Sequence, residues 1–334
     1  MDYIIYISFL ILIFPINQFI QKKNFLPNQT GDKHQIFVTK DIIPLSGGIY
    51  ILFAILILFK NNINLCLFFV VFFLFGLASD KKYISSPLKR FLIQLFFIIA
   101  FVLFFDLRIS DLRNPYIQDF LNIKFVSYIF VIFCFLVLVN GSNFIDGLNG
   151  LQLSYYLIII AVLFKNNLLT SIGIDNINSI FLIVLFFYLV ILNFKNKLFL
   201  GDNGSYILSL FAGFILIKIY NYNQNISPYY IALLLWYPCF ENLFSIVRKL
   251  NFNSSPLRPD NKHLHQLLYL FIKKKYKYDK LFSNNLSSIL INTVNLIIIL
   301  IGSLNYNHTI IQIILIIFSS LFYTKLYLSI LKKI

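Results

Sequence analysis

The chain has 334 residues, 59% of them hydrophobic and only 12% charged, with a mean hydropathy of +0.80. A soluble domain carries about 25% charged residues, so this composition excludes an ordinary soluble fold and makes lipid the solvent for most of the chain. The net charge of +15 brings nucleic acid to mind, but no nucleic-acid-binding motif accompanies it, and we expect no nucleic-acid partner.

The apolar runs are continuous and rich in Phe, Ile and Leu, not alternating as barrel strands would be. About 20 such residues cross a bilayer as a helix, which satisfies its own backbone hydrogen bonds in oil. In chain order the runs predict eleven spans: 3–20, 44–60, 62–79, 90–106, 125–140, 152–164, 177–193, 204–220, 229–247, 287–302 and 309–328. The first begins at Tyr3 behind Asp2, without a basic leader or a small-residue cleavage site, and reads as a retained span. Cys66, Cys134 and Cys239 lie inside apolar runs without metal spacing and read as reduced packing residues. No repeat of 20–50 residues and no separate soluble domain is visible. The expectation is one all-α membrane domain over 1–334, a polytopic bundle of about eleven transmembrane helices.

Eleven spans put the termini on opposite sides. Of the 28 Lys and Arg, 22 fall in one set of connections and 6 in the other. The positive-inside rule then sets the N-terminus outside and the C-terminus in the cytoplasm. The positive charge is thus first a topology signal, and it suits a surface that meets anionic lipid headgroups and nucleotide phosphates.

Acids are few, twelve Asp and one Glu, so their positions carry information. Lys33-His34-Gln35 precedes Pro44-Leu-Ser-Gly47-Gly48 at the entry to the second span; it is either a phosphate-holding turn or a basic juxtamembrane loop. Gly76-Leu-Ala-Ser79-Asp80-Lys81-Lys82 ends the third span, with an acid that either serves chemistry or pairs with its neighbours. Asn140-Gly-Ser-Asn143-Phe-Ile-Asp146-Gly-Leu-Asn149-Gly150 ends the fifth. There Asn143, Asp146 and Gly150 share a face if the helix continues. A carboxylate and amides with little side-chain bulk suit a Mg²⁺ held by one or two acids plus substrate phosphates; a glycine-rich helix end with a capping Asp is the alternative. Phe199-Leu-Gly-Asp202-Asn-Gly-Ser205 opens the eighth, where Asp202 either caps the helix or faces a metal beside free N–H groups. Glu241, with Arg248 seven residues on, lies inside the ninth span, where an ionisable group is costly. Pro259-Asp260-Asn-Lys262-His263-Leu-His265 lies in the longest polar connection; phosphate or sugar recognition suits it better than zinc, because no third ligand of familiar spacing is near. Together these segments put rare polar groups at one depth on one side of the membrane.

This set of motifs resembles the polyprenyl-phosphate N-acetylhexosamine-1-phosphate transferases, glycosyltransferase family 4, most strongly over 33–265. The resemblance rests on Gly47-Gly48, on Gly76 to Asp80, on Asn140 to Gly150, on Phe199 to Ser205 and on His263-Leu-His265, in the family's order. It implies a metal-dependent enzyme of the bacterial inner membrane, multi-pass, with its active site facing the cytoplasm. The reaction would join UDP-N-acetylhexosamine and undecaprenyl phosphate into undecaprenyl-diphospho-sugar and UMP, with Mg²⁺ or Mn²⁺, initiating a cell-envelope polysaccharide. It implies Asp80, Asp146 and Asp202 as catalytic residues, with Asp202 and Asp146 as metal ligands. Substrate would be held by Lys33, His34, Asn143, Asn149, Arg248, His263 and His265. Partners would be the two substrates and membrane lipids, and the family allows a homodimer. The histidine segment is closer to the lipopolysaccharide and teichoic-acid initiating branch than to the peptidoglycan branch.

Ser79 stands where the family usually has the first of two aspartates, and Asn149 where a further Asp is usual. Glu241 replaces a more usual Asp. These changes open the alternative of an inactive relative. A transporter or lipid flippase is the other alternative; it predicts ionisable groups or broken helices near the bilayer midplane, and often a repeat.

Overall fold

A computed structural model describes residues 2–27, 43–253, 255 and 260–334. Among them the chain is helical, with no strand beyond an isolated bridge between Pro27 and Pro44. In chain order come α1 (Asp2–Lys22), α2 (Gly47–Leu58), α3 (Ile63–Asp80), α4 (Pro87–Phe104), α5 (Pro115–Asn122), α6 (Lys124–Ile145) and α7 (Leu151–Lys165). They are followed by α8 (Asn176–Phe194), α9 (Gly201–Tyr222), α10 (Pro228–Leu234), α11 (Trp236–Asn251), α12 (Leu264–Tyr276), α13 (Lys280–Leu304) and α14 (Thr309–Leu331).

Side-chain caps start several of them. The Asn62 side chain accepts from the Leu65 N–H, Ser86 from Lys89 ahead of Pro87, Asp175 from Asn178 and Asp279 from Phe282. Each satisfies one of the N–H groups that a first helical turn leaves unpaired. Eight helices are long and apolar enough to cross a membrane, or nine if α10 and α11 count as one broken span; α2 and α7 are shorter apolar helices.

Every apolar run of the sequence corresponds to a helix or helix pair, with one difference of shape. The run 229–247 is not one straight helix: α10 and α11 meet at a 75° bend. Pro238, in the first turn of α11, has no N–H to return to the Leu234 carbonyl, and its ring opposes continuation of the helix through that residue. The Tyr155 hydroxyl donates to the freed Leu234 carbonyl at 2.9 Å. The helices α5 and α12 are additional to the predicted spans.

The centre of the bundle is α9, whose apolar stretch is 89% buried, against 22% for α1, α4 and α14. It packs on α2, α3 and α6. Glycine makes the approach close enough. A Cβ on Gly76 of α3 would stand 2.4 Å from the Asn203 Cα, and one on Gly48 of α2 would stand 1.9 Å from Asn203 Oδ1. At one end of the bundle, Arg113 donates to the carbonyls of Asn307 and Asn225, both at 2.7 Å, and of Gln224 at 3.3 Å. This clasp joins the connections after α4, α9 and α13. The opposite end gathers the end of α3, the end of α6 and the start of α9.

Candidate active site

Gly201 opens α9 with φ +69°, a left-handed conformation that a side chain would strain. A Cβ there would also lie 3.0 Å from both Asp80 carboxylate oxygens. The bare backbone lets Asp80, from the last turn of α3, close over the start of α9. Asp80 Oδ1 accepts the Asp202 N–H at 2.8 Å; Oδ2 accepts the Asn203 N–H at 3.0 Å and the Asn203 side-chain amide at 2.6 Å. Asp80 is therefore a cap supplied by another helix: its oxygens answer N–H groups that α9 cannot pair itself, and its charge opposes the positive end of the helix dipole.

Asp202 projects from that first turn, and four side chains hold it. Asn143 of α6 donates to Oδ1 at 2.6 Å, while Ser79 donates to Oδ2 at 2.5 Å. Tyr206 and Arg90 reach Oδ2 at 3.3 and 3.4 Å. Arg90 also lies 3.4 Å from Ser79 Oγ. Asp146, directly after α6, accepts the Gly201 N–H, and burial together with the Asp202 and Asp80 charges pushes its carboxyl well above the usual carboxylate range. The three aspartates singled out in the sequence thus come together, although 56 residues separate even Asp146 from Asp202.

The histidine segment lies against the same end of α6. His263 packs on Phe144 with ring centroids 4.8 Å apart and stacks on His265 at 5.6 Å. A Cβ on Gly147 would stand 2.5 Å from His265 Nε2, so the glycine beside Asp146 makes room for that ring. His265 is fully buried and neither ring nitrogen has a hydrogen-bond partner within the described chain. Burial pulls its pKa down to about 3, with His263 lowering it further and Glu241 opposing. The ring is a neutral imidazole with a donor and an acceptor to offer. Arg248 pairs with Asp260 at 2.8 Å and so holds the segment that leads to His263.

Asn149 is drawn elsewhere. Its N–H donates to Asn284 at 2.8 Å and its side-chain amide to Asn196 at 2.7 Å and Asn285 at 3.2 Å. This clasp of asparagines ties the turn between α6 and α7 to the end of α8 and the start of α13. Lys33 and His34 lie outside the described residues. Arg90 and Tyr206 join the site without a distinguishing signal in the sequence: Arg90 is one of several bases that follow Asp80, and Tyr206 is one of 21 tyrosines in an apolar chain.

Among the described residues no three His, Cys, Asp or Glu side chains converge into a protein-only metal cage. Asp80 is fully engaged by α9. The oxygens with capacity left for a cation are Asp202 Oδ1, which holds a single donor, and the Asp146 carboxyl.

Residues 62–220 match the model of glycosyl transferase family 4, a stretch that contains Ser79, Asp80, Arg90, Asn143, Asp146 and Asp202. The chain is 27% identical over 243 residues to an undecaprenyl-phosphate alpha-N-acetylglucosaminyl 1-phosphate transferase of Thermotoga maritima, covering 72% of this chain and 71% of that protein. It is 29% identical over 201 residues to a probable undecaprenyl-phosphate N-acetylglucosaminyl 1-phosphate transferase of Bacillus subtilis, covering 59% and 55%. It is 25% identical over 239 residues to an enzyme of Escherichia coli O157:H7 with the same name as the Thermotoga protein, covering 68% and 65%. The stretch that matches glycosyl transferase family 4 is thus the one that folds around this cluster of aspartates, and over it the chain is similar to that family.

Proposed function

We propose that the protein transfers N-acetylhexosamine-1-phosphate from a UDP-sugar to undecaprenyl phosphate and releases UMP. The observation that carries this reading is the convergence of Asp80, Asn143, Asp146, Asp202 and the His263–His265 segment at one end of a membrane bundle. In the reaction an oxygen of the lipid phosphate attacks the sugar-bearing phosphorus of the UDP-sugar. A new P–O–P bond forms, and the bond from that phosphorus to the bridging oxygen of UMP breaks. Phosphate oxygens are already anionic near neutral pH, so no strong general base is needed.

The donor set fits Mg²⁺ or Mn²⁺: oxygen ligands only, two carboxylates with capacity to spare, and phosphates arriving to complete the shell. Asp202 and Asp146 would hold the ion, which when bound neutralises the diphosphate and polarises the phosphorus under attack. Asn143, Ser79 and Tyr206 fix the Asp202 carboxylate, and Asp80 holds the helix start that carries it. Arg90, with 30% of its side chain exposed, sets a fixed positive charge at the rim where anionic substrates enter. His265 offers neutral hydrogen bonding to phosphate or sugar. Ser79 keeps a bond to Asp202, which favours an active enzyme with a modified site over an inactive relative.

The proposal includes eleven spans with α2, α7 and the α10–α11 pair as crossings, the N-terminus outside, and the site at the cytoplasmic face of a bacterial inner membrane. The division of 22 against 6 basic residues supports that orientation. The test is to incubate purified protein with undecaprenyl phosphate, Mg²⁺ and a panel of UDP-N-acetylhexosamines, and to detect UMP and lipid-linked sugar by mass spectrometry. Both products should appear with at least one donor and vanish with EDTA and in Asp202→Asn. Products that persist in Asp202→Asn would sink the assignment.

A further inference from the structure

Glu241 lies in α11 and is 1% exposed, and its two oxygens have separate partners. Oε1 meets His263 Nδ1 at 2.9 Å; Oε2 accepts the Tyr323 hydroxyl at 2.8 Å. Tyr323 comes from α14, on the periphery of the bundle, yet is itself 1% exposed. Phe240 and Phe244 meet its ring edge-on at 5.0 and 5.2 Å, which fixes where the hydroxyl points. A buried carboxylate is costly unless its oxygens are hydrogen-bonded, so each partner constrains Glu241 for the other. An ionised carboxylate only accepts, so His263 donates from Nδ1 and its ring orientation follows Glu241. On the far side of that ring Nε2 lies 3.5 Å from Asp260, and the stacked His265 is carried against Gly147 beside Asp146.

We infer that Tyr323 and Glu241 are positioning residues: through them the last helix of the chain sets the orientation of His263 and hence of the segment that receives the UDP-sugar. The inference rests on the transferase reading for its substrate, and on the geometry alone for its structural half. Neither residue touches the aspartate cluster, so the pair acts on binding of the sugar donor more than on the chemical step. Glu241 also has the reach this bridge requires; Asp, shorter by one methylene, cannot keep both partners at these distances.

The experiment compares wild type, Tyr323→Phe, Glu241→Asp and the double variant, all full length and purified in the same detergent. Two readouts are taken: KM and kcat for the UDP-sugar that wild type turns over, and amide hydrogen exchange at 260–267. Tyr323→Phe should raise KM roughly 5-fold or more while kcat stays within about twofold, as for loss of one buried hydrogen bond to a charged group. Exchange at 260–267 should quicken, and the double variant should show little beyond Glu241→Asp alone. An unchanged KM and unchanged exchange in Tyr323→Phe overturn the inference. So does a lowered melting temperature with unchanged KM in the folded fraction, which is the signature of a merely structural tyrosine. If wild type turns over no donor, the transferase reading fails by itself. Exchange then decides the pair: faster exchange in Tyr323→Phe upholds the link from α14 to His263, and unchanged exchange removes it.

Discussion

Replacing Asp80 by Asn separates two roles that a conventional activity assay would merge. Asp80 accepts three hydrogen bonds at the start of α9, one on Oδ1 and two on Oδ2. An Asn side chain keeps one carbonyl oxygen. In its better orientation it retains the two bonds from Asn203 and turns its amide nitrogen against the Asp202 N–H. One hydrogen bond to a charged acceptor is worth about 1.5–3 kcal/mol. Removing a negative charge from a partly buried helix N-terminus costs about 1–2 kcal/mol more. Relief of the cost of burying that charge, and of its repulsion with Asp202 and Asp146, works the other way. The balance is a loss of about 2–3 kcal/mol in substrate-free protein, a fall in melting temperature of about 3–4 °C for a chain of 334 residues. Trp236, the only tryptophan, lies buried in α11 and gives a fluorescence signal for the melt. Turnover should fall as well, because Asp202 stands in the turn that is released. If Asp80→Asn melts with wild type while turnover collapses, Asp80 acts on the substrate and the capping argument is wrong.

Two further predictions concern the same end of the bundle. Burial and two neighbouring carboxylates raise the Asp146 carboxyl, so the folded protein binds a proton there more tightly than the unfolded chain. Its contribution to stability is therefore present at low pH and is lost as pH climbs above the ordinary carboxylate range. Melts in EDTA from pH 5 to pH 8 should fall more steeply for wild type than for Asp146→Asn, and parallel slopes would contradict this. Gly201→Ala forces a side chain into φ +69° and towards the Asp80 oxygens. It should cost about 1–2 kcal/mol, read as a lower melting temperature, and reduce turnover more than the same change at exposed Gly173, where a Cβ meets nothing within 4 Å.

The helices were legible because lipid demands long apolar runs and the chain supplies them without interruption. The bend at Leu235 was less so. Pro238 announced an irregularity, but its direction depends on Tyr155, which bonds the freed carbonyl from another helix. Asp146, Asp202 and the histidines stood out because ionisable residues are rare here. Their partners did not: Tyr206 is hidden among aromatic residues, and Tyr323 lies 82 residues from the acid it bonds. Asn149 shows the reverse case. It sits within a motif of the site, yet its amide is committed to Asn196 and Asn285, a pairing that depends on how α8 ends and α13 begins. The sequence leaves Asp80 between a chemical role and pairing with its neighbours, and its capping of α9 emerges only once two distant helices are in register.

The two short apolar helices have a consequence for the membrane itself. Twelve residues of α2 and fifteen of α7 extend about 18 and 22 Å at 1.5 Å per residue, well below a hydrocarbon core of about 30 Å. With α2 and α7 as crossings, as in the eleven-span arrangement proposed above, the bilayer around them would thin or polar chain ends would be drawn below the headgroups. Since α2 begins against Asn203 and Gly204 and is followed by Phe59 beside Phe211 and Phe214, it starts level with the aspartates and falls short at the far end of α9. In that arrangement acyl-chain length becomes a determinant of how the bundle sits in its bilayer.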